Sequence, residues 1–314
     1  MALSFPVGIY TVFFTSLSQA YAPSTVVQSI YLFLGPVLVV VPILGTIGSV
    51  FAVLCAIYAA MFLLAARQGR GFFRALQSTF TDGLSGFLSN QLLVAIISTG
   101  FLAFTILMID TLETSGGIPV GGLSGDALSL FVSLALAPLR EEFGFRVLII
   151  GLVALVLSLA RPGGLTFRAL WRPSAAYEGV VNLSLPWVAL GFALAASSLV
   201  FGIAHVSSGS GWQIGKLPEA AYAGVVLGYL YIRYGFHVAV LVHWGIDFFG
   251  SVYSFFGQGA FGIPWTADNA YILQQIATAD LVGVLGVASF LLVAYVGLQR
   301  YAGGRGAQSL DQVS

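Results

Sequence analysis

Residues 126–160 read DALSLFVSLALAPLREEFGFRVLIIGLVALVLSLA. At about 1.5 Å per residue a wholly helical run of that length is near 50 Å long, against about 30 Å of hydrocarbon in a bilayer. The segment is apolar enough to enter a membrane and too long to cross it as one rod. A break is therefore expected, and Pro138 is its natural place. A helix restarting there would carry Glu141 and Glu142 near its first turn, where the macrodipole favours carboxylates. Glu142 and Arg146 stand at i and i+4 and can pair along one face, while Glu141 points about 100° away. One carboxylate can be tied to structure while the other stays available. The plainer alternative is that both acids neutralise Arg140 and Arg146 as helix-packing ion pairs.

The rest of the chain makes the membrane reading general. Of 314 residues, 58% are hydrophobic and only 8% charged, with mean hydropathy +0.97. That composition lies outside the range of soluble globular proteins and describes a polytopic membrane protein. A net charge of +0 supplies no basic surface for nucleic acid. Cys55, the single cysteine, sits in an apolar run with no partner for a disulfide and no second thiol for a metal. No charged residue precedes Arg67, so the N-terminus reads as retained structure rather than a cleaved signal.

Apolar stretches of spanning length occur near 24–44, 45–66, 88–109, 125–160, 186–206, 218–234, 237–256 and 279–299. The expectation is an all-α integral membrane protein with about eight transmembrane helices around an intramembrane polar cavity, or seven if the first two stretches are one kinked helix. Residues 1–22, aromatic and uncharged, would lie in the interface or join another crossing. Residues 1–86 read as N-terminal membrane segments with an interfacial helix, 87–300 as the helical core, and 301–314 as a tail.

Arginines gather in alternate loops: Arg67, Arg70 and Arg74; Arg161, Arg168 and Arg172; Arg233; Arg300 and Arg305. The positive-inside rule makes these loops and the C-terminus cytoplasmic, in a multi-pass protein of the cell membrane. Loops around Asp110–Ser124, Ser207–Leu217 and Gly257–Ala277 are then external, with one lysine and no arginine. Phe73–Leu76 and Phe167–Leu170 share Phe-Arg-Ala-Leu, as short amphipathic helices on the inner leaflet would.

Ionisable groups at bilayer depth come from further stretches too. His205 ends one apolar run after Phe201, and His243 and Asp247 form a His-x-x-x-Asp at helical spacing in a later one. A cluster facing a shared interior accounts for such residues better than separate exposure to lipid. His237, close to Arg233 at a helix start, reads as interfacial or capping, Asp110 and Glu113 as an external helix end, and Trp212, Trp244 and Trp265 as interface or pocket walls.

The ordered set Glu141-Glu142-x-x-x-Arg146, Phe201-x-x-x-His205 and His243-x-x-x-Asp247 resembles the CAAX-prenyl-endopeptidase and bacteriocin-processing (CPBP, or ABI) family of intramembrane proteases, which includes the Rce1-like enzymes. The resemblance implies proteolysis by water that Glu141 activates with help from His205, with Glu142 beside it anchored by Arg146. It gives His243 and position 247 the stabilisation of the oxyanion, and a cavity opening toward the cytoplasm. An asparagine amide can donate to an oxyanion whereas an ionised aspartate can only accept, so Asp247 must be protonated, orient His243 or bind something else.

Metal-free catalysis is favoured, with no cofactor. Zinc remains an alternative, because Glu141, Glu142, His205, His243 and Asp247 offer nitrogen and oxygen ligands, although no His-Glu-x-x-His helix is present. The partners implied are membrane lipids and a peptide or protein substrate, lipid-modified in the CAAX branch and a leader peptide in others. Two other functions fit part of the pattern: a proton-coupled transporter, since buried acids and histidines also make proton relays, and a non-catalytic scaffold of the same fold.

Overall fold

The computed structural model describes residues 4–15, 26–34, 37–123, 127–160, 164–177, 184–208, 211–263, 284–295 and 298. Its helices are α1 (Ser4–Phe14), α2 (Ile47–Arg67), α3 (Phe72–Asp82), α4 (Gln91–Ser115), α5 (Ala127–Glu141), α6 (Ser184–Ser207), α7 (Lys216–Tyr234), α8 (Phe236–Phe261) and α9 (Val284–Tyr295), with shorter turns between them. Among the described residues, α2, α4 and α6 are long and apolar enough to cross a membrane, and α8 makes a fourth if its two halves, bent by 43°, form one span. Trp265, Arg161, Arg300, Arg305 and the expected tail at 301–314 lie outside the described residues.

Local chemistry sets the helix ends. Thr46 and Ser49 form a reciprocal capping box at the start of α2. Asn90 caps α4 by accepting from the amides of Leu92 and Leu93, and its amide nitrogen donates to the carbonyls of Ala66 and Arg70. One buried side chain thus ties the start of α4 to the end of α2 and the turn after it. The amphipathic α3 leaves Phe73 and Phe80 exposed beside Arg74, the composition expected of a helix lying on a leaflet.

The core is built on α8, whose residues Val238 to Val242 are wholly buried among α1, α2, α4, α5 and α7. Residues 4–14 are more than an interfacial strip: α1 docks into this core, with Phe5 stacked on Trp244 at 4.8 Å between ring centres. Helices α6 and α7 meet through small residues. A Cβ on Gly224 would stand 2.8 Å from the Cα of Ser198, so glycine lets the two backbones close.

Two local expectations are corrected. The stretch 24–44 is not a spanning helix: Val26–Leu34 (β1) and Val37–Thr46 (β2) pair as an antiparallel hairpin. Its run of β-branched valines favours the extended chain, and Pro42 cannot donate the amide a helix interior needs. Nor does the 126–160 segment break at Pro138, since α5 runs through that residue to Glu141 and continues as a π-helix over Glu142–Gly151. Proline removes one amide bond within α5, and the helix keeps its course past it before widening one turn later. Side chains from outside attend to its carbonyls: Tyr58 donates to Ala135 at 2.7 Å and Ser197 to Phe145 at 2.8 Å.

Candidate active site

Where α5 widens into the π-helix, Glu141 and Glu142 turn toward α6 and α8. Glu142 and Arg146 are wholly buried, with the guanidinium Nε 3.1 Å from Glu142 Oε2 in an ion pair that is off-line for a hydrogen bond. The Arg146 guanidinium lies 4.2 Å from the centre of the Phe201 ring, which supplies a π face to a cation far from water. Glu142 Oε1 meets His243 Nδ1 at 2.8 Å. The Glu-x-x-x-Arg pair on one helix thereby grips the histidine of another.

His243 is surrounded by acceptors. Its Nε2 stands 3.3 Å from Asp247 Oδ2 and 3.8 Å from Glu141 Oε2, while Nδ1 faces Glu142. An imidazole whose two nitrogens both face carboxylates is matched by the doubly protonated form, which donates from each. The cluster is then electrically balanced: Arg140, Arg146 and His243 against Glu141, Glu142 and Asp247. Balance is what makes so many charges tolerable at this depth.

His205 faces the opposite way. Its Nδ1 donates to the carbonyl of Phe201 one turn earlier at 2.9 Å, so in the neutral imidazole Nε2 is an acceptor, 3.9 Å from Glu141 Oε2. Two acceptors therefore face each other across a gap wider than a hydrogen bond. A donor between them, such as the O–H of a water, satisfies both.

A cavity of about 550 Å³ opens beside this pair, lined among others by Arg140, Glu141, His205 and Asp247. A smaller pocket of about 60 Å³ adjoins on the far side of His205 and Asp247, walled by Phe201, Ala223 and Leu227. All six residues singled out by sequence, Glu141, Glu142, Arg146, His205, His243 and Asp247, come together here. His237 does not: it is buried at the start of α8, 2.7 Å from Gln91 Oε1 and stacked on Trp171. Trp244 is part of the core beneath the site.

The structure adds residues that the motifs did not nominate. Lys216, the sole lysine, lines both cavities, 2.6 Å from Glu219 Oε1 and 4.2 Å from the Trp212 ring. Its isolation in an arginine-free loop was the signal available. Tyr31 and Phe33 of β1 line the larger cavity, and no sequence signal placed them there. A Cβ on Gly144 would lie 2.3 Å from the carbonyl oxygen of Phe33, so glycine is what admits the hairpin to the site.

The donors fit a metal poorly. Among the described residues no three His, Cys, Asp or Glu side chains form a metal-binding group. His243 presents both nitrogens to carboxylates and Glu142 is held by Arg146, so a metal would have to displace those contacts.

Residues 123–249 match the family model for type II CAAX prenyl endopeptidase, Rce1-like, a segment that contains every residue of the cluster and covers less than half of the chain. No curated protein and no solved structure matches. Residues 123–249 are thus similar to the Rce1-like family, which is a family of peptidases.

Proposed function

We propose that this Rce1-like chain is an intramembrane endopeptidase of the glutamate type. The observation that carries the reading is the facing of two acceptors, Glu141 Oε2 and His205 Nε2, across 3.9 Å at the wall of the large cavity. A water donating to both is oriented and polarised for attack. Its oxygen adds to the scissile carbonyl carbon as Glu141 takes its proton. The tetrahedral oxyanion forms near His243, whose imidazolium, with both N–H groups already facing carboxylates, stabilises it by its positive charge rather than by a hydrogen bond. Glu141 then returns the proton to the departing amine, and the new carboxyl and amine products leave. Glu142 and Arg146 hold His243 in place, and Asp247 accepts from its Nε2–H, the orienting role among those open to an aspartate.

The substrate is an extended peptide segment of CAAX or leader type, entering from the lipid or from the open end of the cavity. We take that end to be the part lined by Leu123, Ser207, Ser208, Trp212 and Lys216, all from the arginine-poor loops, where Ser207 and Ser208 are exposed. With the arginine-rich loops and the C-terminus cytoplasmic, the mouth faces the other side, contrary to the opening toward the cytoplasm that the family resemblance implies.

Purified wild type and Glu141→Ala, compared on fluorogenic prenylated and unprenylated peptides, test the reading. Cleavage by wild type that disappears in the variant supports it. Equal cleavage by both removes Glu141 from the chemistry.

A further inference from the structure

Arg140 has no counterpart in the mechanism above. His243 and Lys216 are held at close range, by Glu142 at 2.8 Å and by Glu219 at 2.6 Å, while Arg146, whose nitrogens also lack hydrogen bonds among the described residues, is sealed between Glu142 at 3.1 Å and the Phe201 ring and lines neither cavity. Arg140 comes no nearer than 3.7 Å to Glu141 Oε1, beyond hydrogen-bond reach. Its Nε is buried without a hydrogen-bond partner among the described residues, and its guanidinium lines the large cavity, 5.6 Å from the Phe33 ring centre. A guanidinium offers a planar fork of five donors, and here the buried Nε lacks an acceptor while no carboxylate comes within hydrogen-bond reach of the group, so an acceptor entering the cavity would gain a strong partner. A group that arrives with the substrate is such an acceptor.

We propose that Arg140 is a specificity residue whose guanidinium receives a carboxylate of the bound peptide, either its C-terminal α-carboxylate or an acidic side chain near the scissile bond. The inference rests on the endopeptidase reading for the identity of the occupant, and on the cavity geometry for the chemistry. Arginine and carboxylate match as bidentate partners, so the contact fixes the direction of the chain as well as its position. The carboxylate also gives Arg140 a partner other than Glu141 while that residue works on water.

The test reads binding and leaves cleavage aside. Full-length Glu141→Gln protein in detergent is titrated with a fluorescent peptide carrying a free C-terminus, the same peptide amidated, and amidated peptides bearing internal Glu or Gln. One carboxylate form should bind about tenfold to hundredfold tighter than its neutral match, the worth of a hydrogen bond to a charged group. The C-terminal and internal pairs tell the two sources apart. Adding R140Q should bring that ratio close to one, and R140K, which keeps the charge and loses the fork, should lower it. A ratio near one in the parent, or one that survives both substitutions, overturns the proposal. Absence of cleavage by wild type counts against the endopeptidase reading alone.

Discussion

His243 Nδ1 and Glu142 Oε1 lie 2.8 Å apart across the α8 and π-helix contact, and Glu142 also holds the wholly buried Arg146. The neighbouring glutamates therefore differ in kind. Glu142→Ala strands a buried guanidinium and an imidazolium, and should destabilise the fold by about 3–5 kcal/mol. Glu141→Ala removes a carboxylate at a cavity wall, should cost about 1 kcal/mol or less, and should lower turnover by about 10²–10⁴-fold. Unfolding in detergent, followed beside peptide hydrolysis, separates them; equal losses of stability would refute the division of labour.

Asp247 accepts from His243 Nε2 at 3.3 Å, and an asparagine can offer a carbonyl oxygen at the same place. Asp247→Asn should keep kcat within about tenfold, whereas Asp247→Leu, which leaves the Nε2–H unmatched, should lose about 10²–10³-fold. Similar large losses in both would mean that the negative charge itself is needed.

Because His243 has no nitrogen left over and Glu142 is held by Arg146, turnover should be the same within about twofold after exhaustive chelation, a change of less than ~0.5 kcal/mol in the barrier. Loss of activity with chelator, restored by zinc, would require the cluster to rearrange around a metal.

Gly144 and Phe33 set how close the hairpin comes to the site. Gly144→Ala puts a Cβ 2.3 Å from the Phe33 carbonyl oxygen, so the hairpin must retreat. A cost of roughly 1–3 kcal/mol is expected. KM should rise more than kcat falls, since Phe33 lines the cavity without touching the reacting atoms. An effect on kcat alone would place the hairpin in the chemistry.

The cluster is legible in the sequence because intramembrane charges are rare enough that each demands a reason, and helical spacing pairs Glu142 with Arg146 and His243 with Asp247. Spacing alone could not decide which carboxylate His243 would meet, since that contact joins residues about a hundred positions apart. The hairpin at Val26–Thr46 was misread because a run of apolar, β-branched residues has the same hydropathy whether it folds as helix or strand. Pro138 is a weaker breaker than its chemistry suggests: it costs one amide bond, and α5 runs through it to Glu141 before the chain widens into a π-helix.

Arg140 and Ser208 line the same cavity, the first half-buried and the second exposed, so we place its rim at Ser208. The rim belongs to a loop without arginine, whereas α3 carries Arg74 with exposed Phe73 and Phe80, and the proposed orientation puts the two on opposite sides of the membrane. In a Cys55→Ala background, Ser208→Cys should react with a membrane-impermeant maleimide in sealed cells. Gln77→Cys on α3 should react only after permeabilisation. The reverse pattern would turn the cavity mouth toward the cytoplasm, and would mean that the distribution of arginine does not set the orientation of this chain. Blocking of the Ser208→Cys thiol by a bound peptide would further show that substrate approaches Glu141 past this rim.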